Sequence, residues 1–137
     1  MPRILGLNIV GVLIASVAFY FVGFLLYGLL FADLWMSAQG IAEADFEGQN
    51  TGAYMAGGFL ITALQVIGLG LTLGWRKAMD MGAAIRTAII LWAFFALPFS
   101  HYSYLYEPHH NPALLAIDAG HLLVGWVVSA IVLTLFK

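Results

Sequence analysis

The sequence predicts an all-α integral membrane protein, a four-helix bundle with both the N-terminus and the C-terminus cytoplasmic. Three observations predict it. Of 137 residues, 63% are apolar and 9% charged, whereas a water-soluble domain carries about a quarter charged residues. A domain of this size has a large surface for its volume, so lipid must solvate most of it. Four segments then reach the roughly 20 apolar residues that cross a bilayer. Finally, all five Lys and Arg residues fall on one side of a four-span arrangement.

The first span reads as about 4–32. Its apolar run is too long for the roughly 7–15 residues of a signal peptide, so it reads as a retained helix that tilts or projects beyond the lipid. An outer polar loop follows over 33–53, rich in Gln, Glu, Asp, Gly and Asn, with Asp33 marking the membrane boundary. Glu43, Asp45 and Glu47 read as solvated acids. The second span covers about 54–74, the third 83–106 and the fourth 112–136. Short connections between the last three make neighbouring helices antiparallel. Asn111-Pro112 reads as a helix start, a cap followed by a first-turn proline.

Arg3, Arg76, Lys77, Arg86 and Lys137 share one side, while Asp33, Glu43, Asp45, Glu47 and Glu107 share the other. Cations accumulate in cytoplasmic loops, which places both termini inside and predicts a multi-pass protein of the cell inner membrane. Trp35, Tyr54, Trp75 and Tyr106 stand near span ends, as interfacial anchors do. A net charge of -2 gives no basic footprint for nucleic acid. The absence of cysteine removes disulfides, thiolate metal sites and thiol catalysis.

The first, second and fourth spans carry stripes suited to helix association through close approach and hydrogen bonds. These are Ser16, Tyr20, Gly23 and Tyr27; Gly58, Thr62, Gln65 and Thr72; and Asp118, His121, Gly125 and Ser129. Gln65 lies near mid-bilayer and is expected to point inward to a partner. Pro98 removes the donor for the Phe94 carbonyl and is expected to kink the third span.

The candidate site lies towards the outer ends of the third and fourth spans. At 1.5 Å per residue, His101, Asp118 and His121 sit about 8, 9 and 14 Å below the surface, and Asp118 and His121 share a helix face. An ionisable group inside a span is a functional candidate. Asp118 and His121 could pass protons or ions, with Tyr20, Tyr27 and Gln65 lining the path. With His101 they could ligate a metal, or His101 and His121 could bind haem axially. The plain structural alternative is a hydrogen-bonded cluster that locks the bundle. His109 and His110 read as solvated loop residues. No G-x-S-x-G, Walker, H-E-x-x-H or Rossmann motif occurs, so the chain reads away from an enzyme, and no cofactor is predicted.

The run Phe21-Val22-Gly23-Phe24-Leu25-Leu26-Tyr27-Gly28, then Phe31 and Leu34-Trp35-Met36, resembles the membrane family catalogued as domain of unknown function 1761. Leu97-Pro98-Phe99-Ser100-His101-Tyr102 and Ile117-Asp118-Ala119-Gly120-His121 resemble that family's second block. The resemblance implies a small four-helix bacterial membrane protein and no assigned reaction. The family pattern often has Asn where Ser100, His101 and Asp118 stand here, which favours a hydrogen-bonded polar role over obligatory metal ligation. The chain is thus expected to act as a homo-oligomer in the lipid bilayer that conducts or transports a proton, ion or small solute. The alternatives are an accessory subunit of a larger membrane complex and a metal- or haem-binding membrane enzyme.

Overall fold

The computed structural model describes residues 2–40, 44, 48, 50–108 and 111–137. Two short strands, β1 (Arg3–Ile4) and β2 (Leu7–Asn8), pair as an antiparallel hairpin. Gly6 turns the chain with φ +84°, a conformation open to glycine at little cost. The hairpin leads into α1 (Ile9–Leu30). The helix therefore begins five residues beyond the start that hydropathy alone suggests. Its start is set by Asn8, whose side chain accepts from the Val10 N–H and ends the extended segment.

A short helix, α2 (Ala32–Gln39), starts at the last residue of the expected first span and runs into the segment expected to be a polar loop. Asp33 sits in its first turn, where a carboxylate complements the free N–H groups, and Gly40 closes it in the left-handed conformation. The remaining helices are α3 (Thr51–Arg76), α4 (Met81–Tyr106) and α5 (Pro112–Leu135). With α1 they are, among the described residues, the four helices long and apolar enough to cross a membrane. Asn50, Asp80 and Asn111 cap α3, α4 and α5 by accepting from first-turn N–H groups. Large apolar side chains face outward along every span, among them Leu13, Val17, Leu60, Leu64, Phe94, Phe99 and Val124. That surface suits acyl chains and would be costly in water.

The two ends of the bundle differ in charge. Arg3 and Lys137 line one small cavity together with Met79 from the α3–α4 turn. The cations Arg76 and Lys77 lie at that same turn, so this end is the cationic one. Asp33 and Glu107 mark the other, acidic, end. Burial follows the same division. In the cationic half, Val12, Ala15 and Phe19 of α1 pack with Val66, Leu69 and Leu73 of α3, Ala84 and Ala88 of α4, and Ala130 and Leu133 of α5. Near the acidic end, neither Phe24–Leu30 nor Leu97–Tyr106 contains a buried residue.

Two helices change pitch on entering the acidic half. Phe24–Leu30 in α1 and Trp92–Ala96 in α4 wind as π-helix, the wider turn that often accompanies functional sites. The second precedes Pro98, which lacks an N–H and crowds the turn before it. The Leu97 N–H bonds back to the Trp92 carbonyl, and the helix continues through Pro98 to Tyr106.

The serines and threonines of the expected stripes turn back on their own helices. Ser16, Thr62, Thr72 and Ser129 donate to carbonyls four residues earlier, and Thr87 of α4, outside those stripes, does the same. Aromatic and amide side chains make the ties between helices. Trp126 donates to Gln65 at 2.8 Å, Trp92 to the Ala119 carbonyl at 2.7 Å, and Tyr20 to the Met55 carbonyl at 3.1 Å. Such bonds join helices that gain nothing from excluding water within a bilayer.

Candidate functional site

The acidic half is open enough to hold grooves, and one polar cluster separates two of them. Asp118 lies in the second turn of α5, set there by the Asn111 cap. The Tyr27 hydroxyl, carried on the π-helical part of α1, donates to Asp118 Oδ1 at 2.5 Å. The Trp35 indole on α2 is a second hydrogen-bond partner of the same carboxylate. Trp35 also meets the Tyr27 ring edge-on, with centroids 5.8 Å apart. Three elements thus converge on one carboxylate, which suits the high cost of burying a lone charged or polar group.

His121 is one turn further along α5. Its ring stands edge-on to Tyr27 at 5.0 Å and tilted against Phe19 at 5.4 Å. Tyr27 forms part of the wall of both grooves. On one side, Tyr27, Trp35, Met36, Gln39 and Asp118 line an open groove of about 390 Å³. On the other, a groove of about 500 Å³ runs between α1 and α3, with Gly23, Met55, Ile61 and His121 among its walls. Asp118 opens towards the first groove and His121 towards the second, although they are only three residues apart.

The residues singled out from sequence are distributed as follows. Tyr27, Asp118 and His121 are brought together. Tyr20 and Gln65 line the larger groove, each already hydrogen-bonded across a helix interface. His101 stands apart. It is exposed, with Nδ1 2.7 Å from the Leu97 carbonyl of its own helix and its ring edge-on to Tyr104. Among the described residues, no three of His, Asp and Glu are gathered closely enough to hold a metal ion. Glu43, Asp45, Glu47, His109 and His110 lie outside the described residues.

Trp35 is the member of the cluster that span-by-span reading missed. Its place near a span end read as an interfacial anchor, a role suited to the more exposed Tyr54, Trp75 and Tyr106. The available signal was its position in the Leu34-Trp35-Met36 motif, outside any span, where an aromatic can fold back over a helix end.

Fold and site together define a class, a small four-helix membrane bundle with one carboxylate-centred polar site. A model of the family described as "Protein of unknown function (DUF1761)" matches residues 10–134, and the chain belongs to that family. No curated protein and no solved structure matches the chain.

Proposed function

We propose that this protein admits a proton, ion or small polar solute to the Asp118–Tyr27–Trp35 cluster from the acidic end of the bundle. The observation that carries the reading is the groove at Asp118. Asp118 is the sole acidic residue in the four spans, and it lines a space of about 390 Å³. A water needs about 10–15 Å³ of such space, so the groove has room for several. The distribution of Lys and Arg supports an orientation with the acidic end outside and both termini in the cytoplasm of a bacterial inner membrane. One bundle is too narrow for a pore of its own, so conduction calls for several copies, for which closed symmetry is the usual arrangement.

Reconstitution into liposomes holding a pH-sensitive dye tests the proposal. Wild-type protein is expected to dissipate a pH step, and Asp118→Asn to slow it at least tenfold while the protein remains folded. Equal rates for wild type and D118N reject conduction through this site. One observation favours a second reading, an accessory subunit of a larger membrane complex. The Tyr27–Asp118 and Trp126–Gln65 bonds tie helices together and need no solute to do so. In that case D118N lowers stability and leaves flux at the level of empty liposomes throughout.

A further inference from the structure

His121 presents a problem that the carboxylate site does not solve. A neutral imidazole carries one donor and one acceptor, and in hydrocarbon each needs a partner. Among the described residues, the ring is held by aromatic contacts to Tyr27 and Phe19, and none of them hydrogen-bonds to either nitrogen. Neither nitrogen is sealed in the interior, since no fully buried polar side-chain atom there is left unpaired. Nε2 lies 3.1 Å from the point where a β-carbon on Gly23 would sit. The missing side chain at Gly23 therefore leaves the nitrogen facing the groove between α1 and α3.

The other polar side chains of that groove are already committed. Tyr20 donates to the Met55 carbonyl, Thr62 to the Gly58 carbonyl, and Gln65 both accepts from Trp126 and donates to the Ile61 carbonyl. Among the described residues, no Lys, Arg, Asp or Glu lines the groove, and its remaining walls include Phe24, Met55 and Ile61. An ionic head would lose its hydration there without a counter-charge. A docked helix would bring a backbone whose hydrogen bonds are already made. We propose that this groove is a binding site for a lipid-soluble small molecule with an uncharged carbonyl or hydroxyl head. The head hydrogen-bonds to His121, and the apolar body lies along Phe24, Met55 and Ile61, entering sideways from the bilayer.

This site shares its Tyr27 wall with the groove at Asp118, and its test does not measure flux. The full chain in lipid nanodiscs is irradiated with a long-chain alcohol carrying a diazirine, alongside the corresponding alkyl ammonium and alkyl phosphate probes. The expected result is saturable labelling by the alcohol, mapped to the peptides around Gly23–Gly28 and Gly58–Gln65 and displaced by unlabelled alcohol. The two charged probes should label these peptides much less. His121→Leu should weaken half-saturation by about tenfold, the scale of one hydrogen bond in apolar surroundings, and His121→Gln should restore part of the loss. If H121L fails to fold, Gly58→Leu obstructs the groove from α3, where a β-carbon meets only Tyr20 at 3.7 Å, and should abolish saturable labelling. Label spread evenly around the bundle overturns the proposal. So does saturable labelling that H121L or G58L leaves unchanged, or crosslinks that join the groove to a second copy.

Discussion

The two halves of this bundle solve different problems with the same helices. In the cationic half, small residues let the helices close over a dry interior, and Ala15, Ala84, Ala88 and Ala130 are fully buried. In the acidic half, α1 and α4 pass through wide turns, no residue of Phe24–Leu30 or Leu97–Tyr106 is buried, and two large grooves open. A bilayer gives little hydrophobic drive for helices to pack, so closeness comes from shape and from hydrogen bonds. One half uses shape. The other uses bonds to one carboxylate and leaves space around it.

The sharpest way to break this comparison is to place the same small change in each half. A β-carbon on Gly125 would collide with the Phe19 ring, whereas one on Gly57 meets nothing within 4 Å. Gly125→Ala is expected to cost roughly 3 kcal/mol, the upper range for an overfilled core. Gly57→Ala should be neutral or stabilising by up to about 1 kcal/mol, because alanine favours the helix. Unfolding from lipid-like micelles measures both, and equal effects would show that Gly125 is not closely packed against Phe19.

A smaller effect is expected from the acidic cluster. A double-mutant cycle with Tyr27→Phe and Asp118→Asn should give a coupling of about 1.5 kcal/mol, near the upper limit for a hydrogen bond between membrane helices. A coupling near zero would mean that the hydroxyl and carboxylate do not hold α1 to α5. The smallest is expected at Gln65 and Trp126, where Gln65→Leu and Trp126→Phe should couple by about 0.6 kcal/mol, an ordinary value for such a bond. A coupling larger than that of Tyr27–Asp118 would reverse the ranking of the two ties.

Much of the fold is legible in the sequence. Four apolar stretches, the cap at Asn111, and cations confined to one end follow from local chemistry. The start of α1 was less legible. Hydropathy continues back to Ile4, while the capping side chain of Asn8 and the turn at Gly6 act over only a few residues. The candidate site was readable in part. Asp118 and His121 declare themselves as ionisable residues within a span. His101 lies at a similar depth, yet its side chain lies on an exposed face, because depth does not fix rotation about a helix axis. The partners of Asp118, Tyr27 at 91 positions away and Trp35 on a separate short helix, carry no local mark of that role.

By itself, the sequence determined that four stretches are long and apolar enough to cross a membrane, and which end holds the cations. Those properties are sums over neighbouring residues, and solvation free energy is nearly additive along a span. Only the tertiary structure decided that one half closes and the other opens, that Asp118 bonds to Tyr27 and Trp35, and that His121 faces a different groove. These outcomes depend on helix rotation and pitch. Both are set by contacts between residues far apart in the chain, such as Phe19 against Gly125, and no local sum contains them.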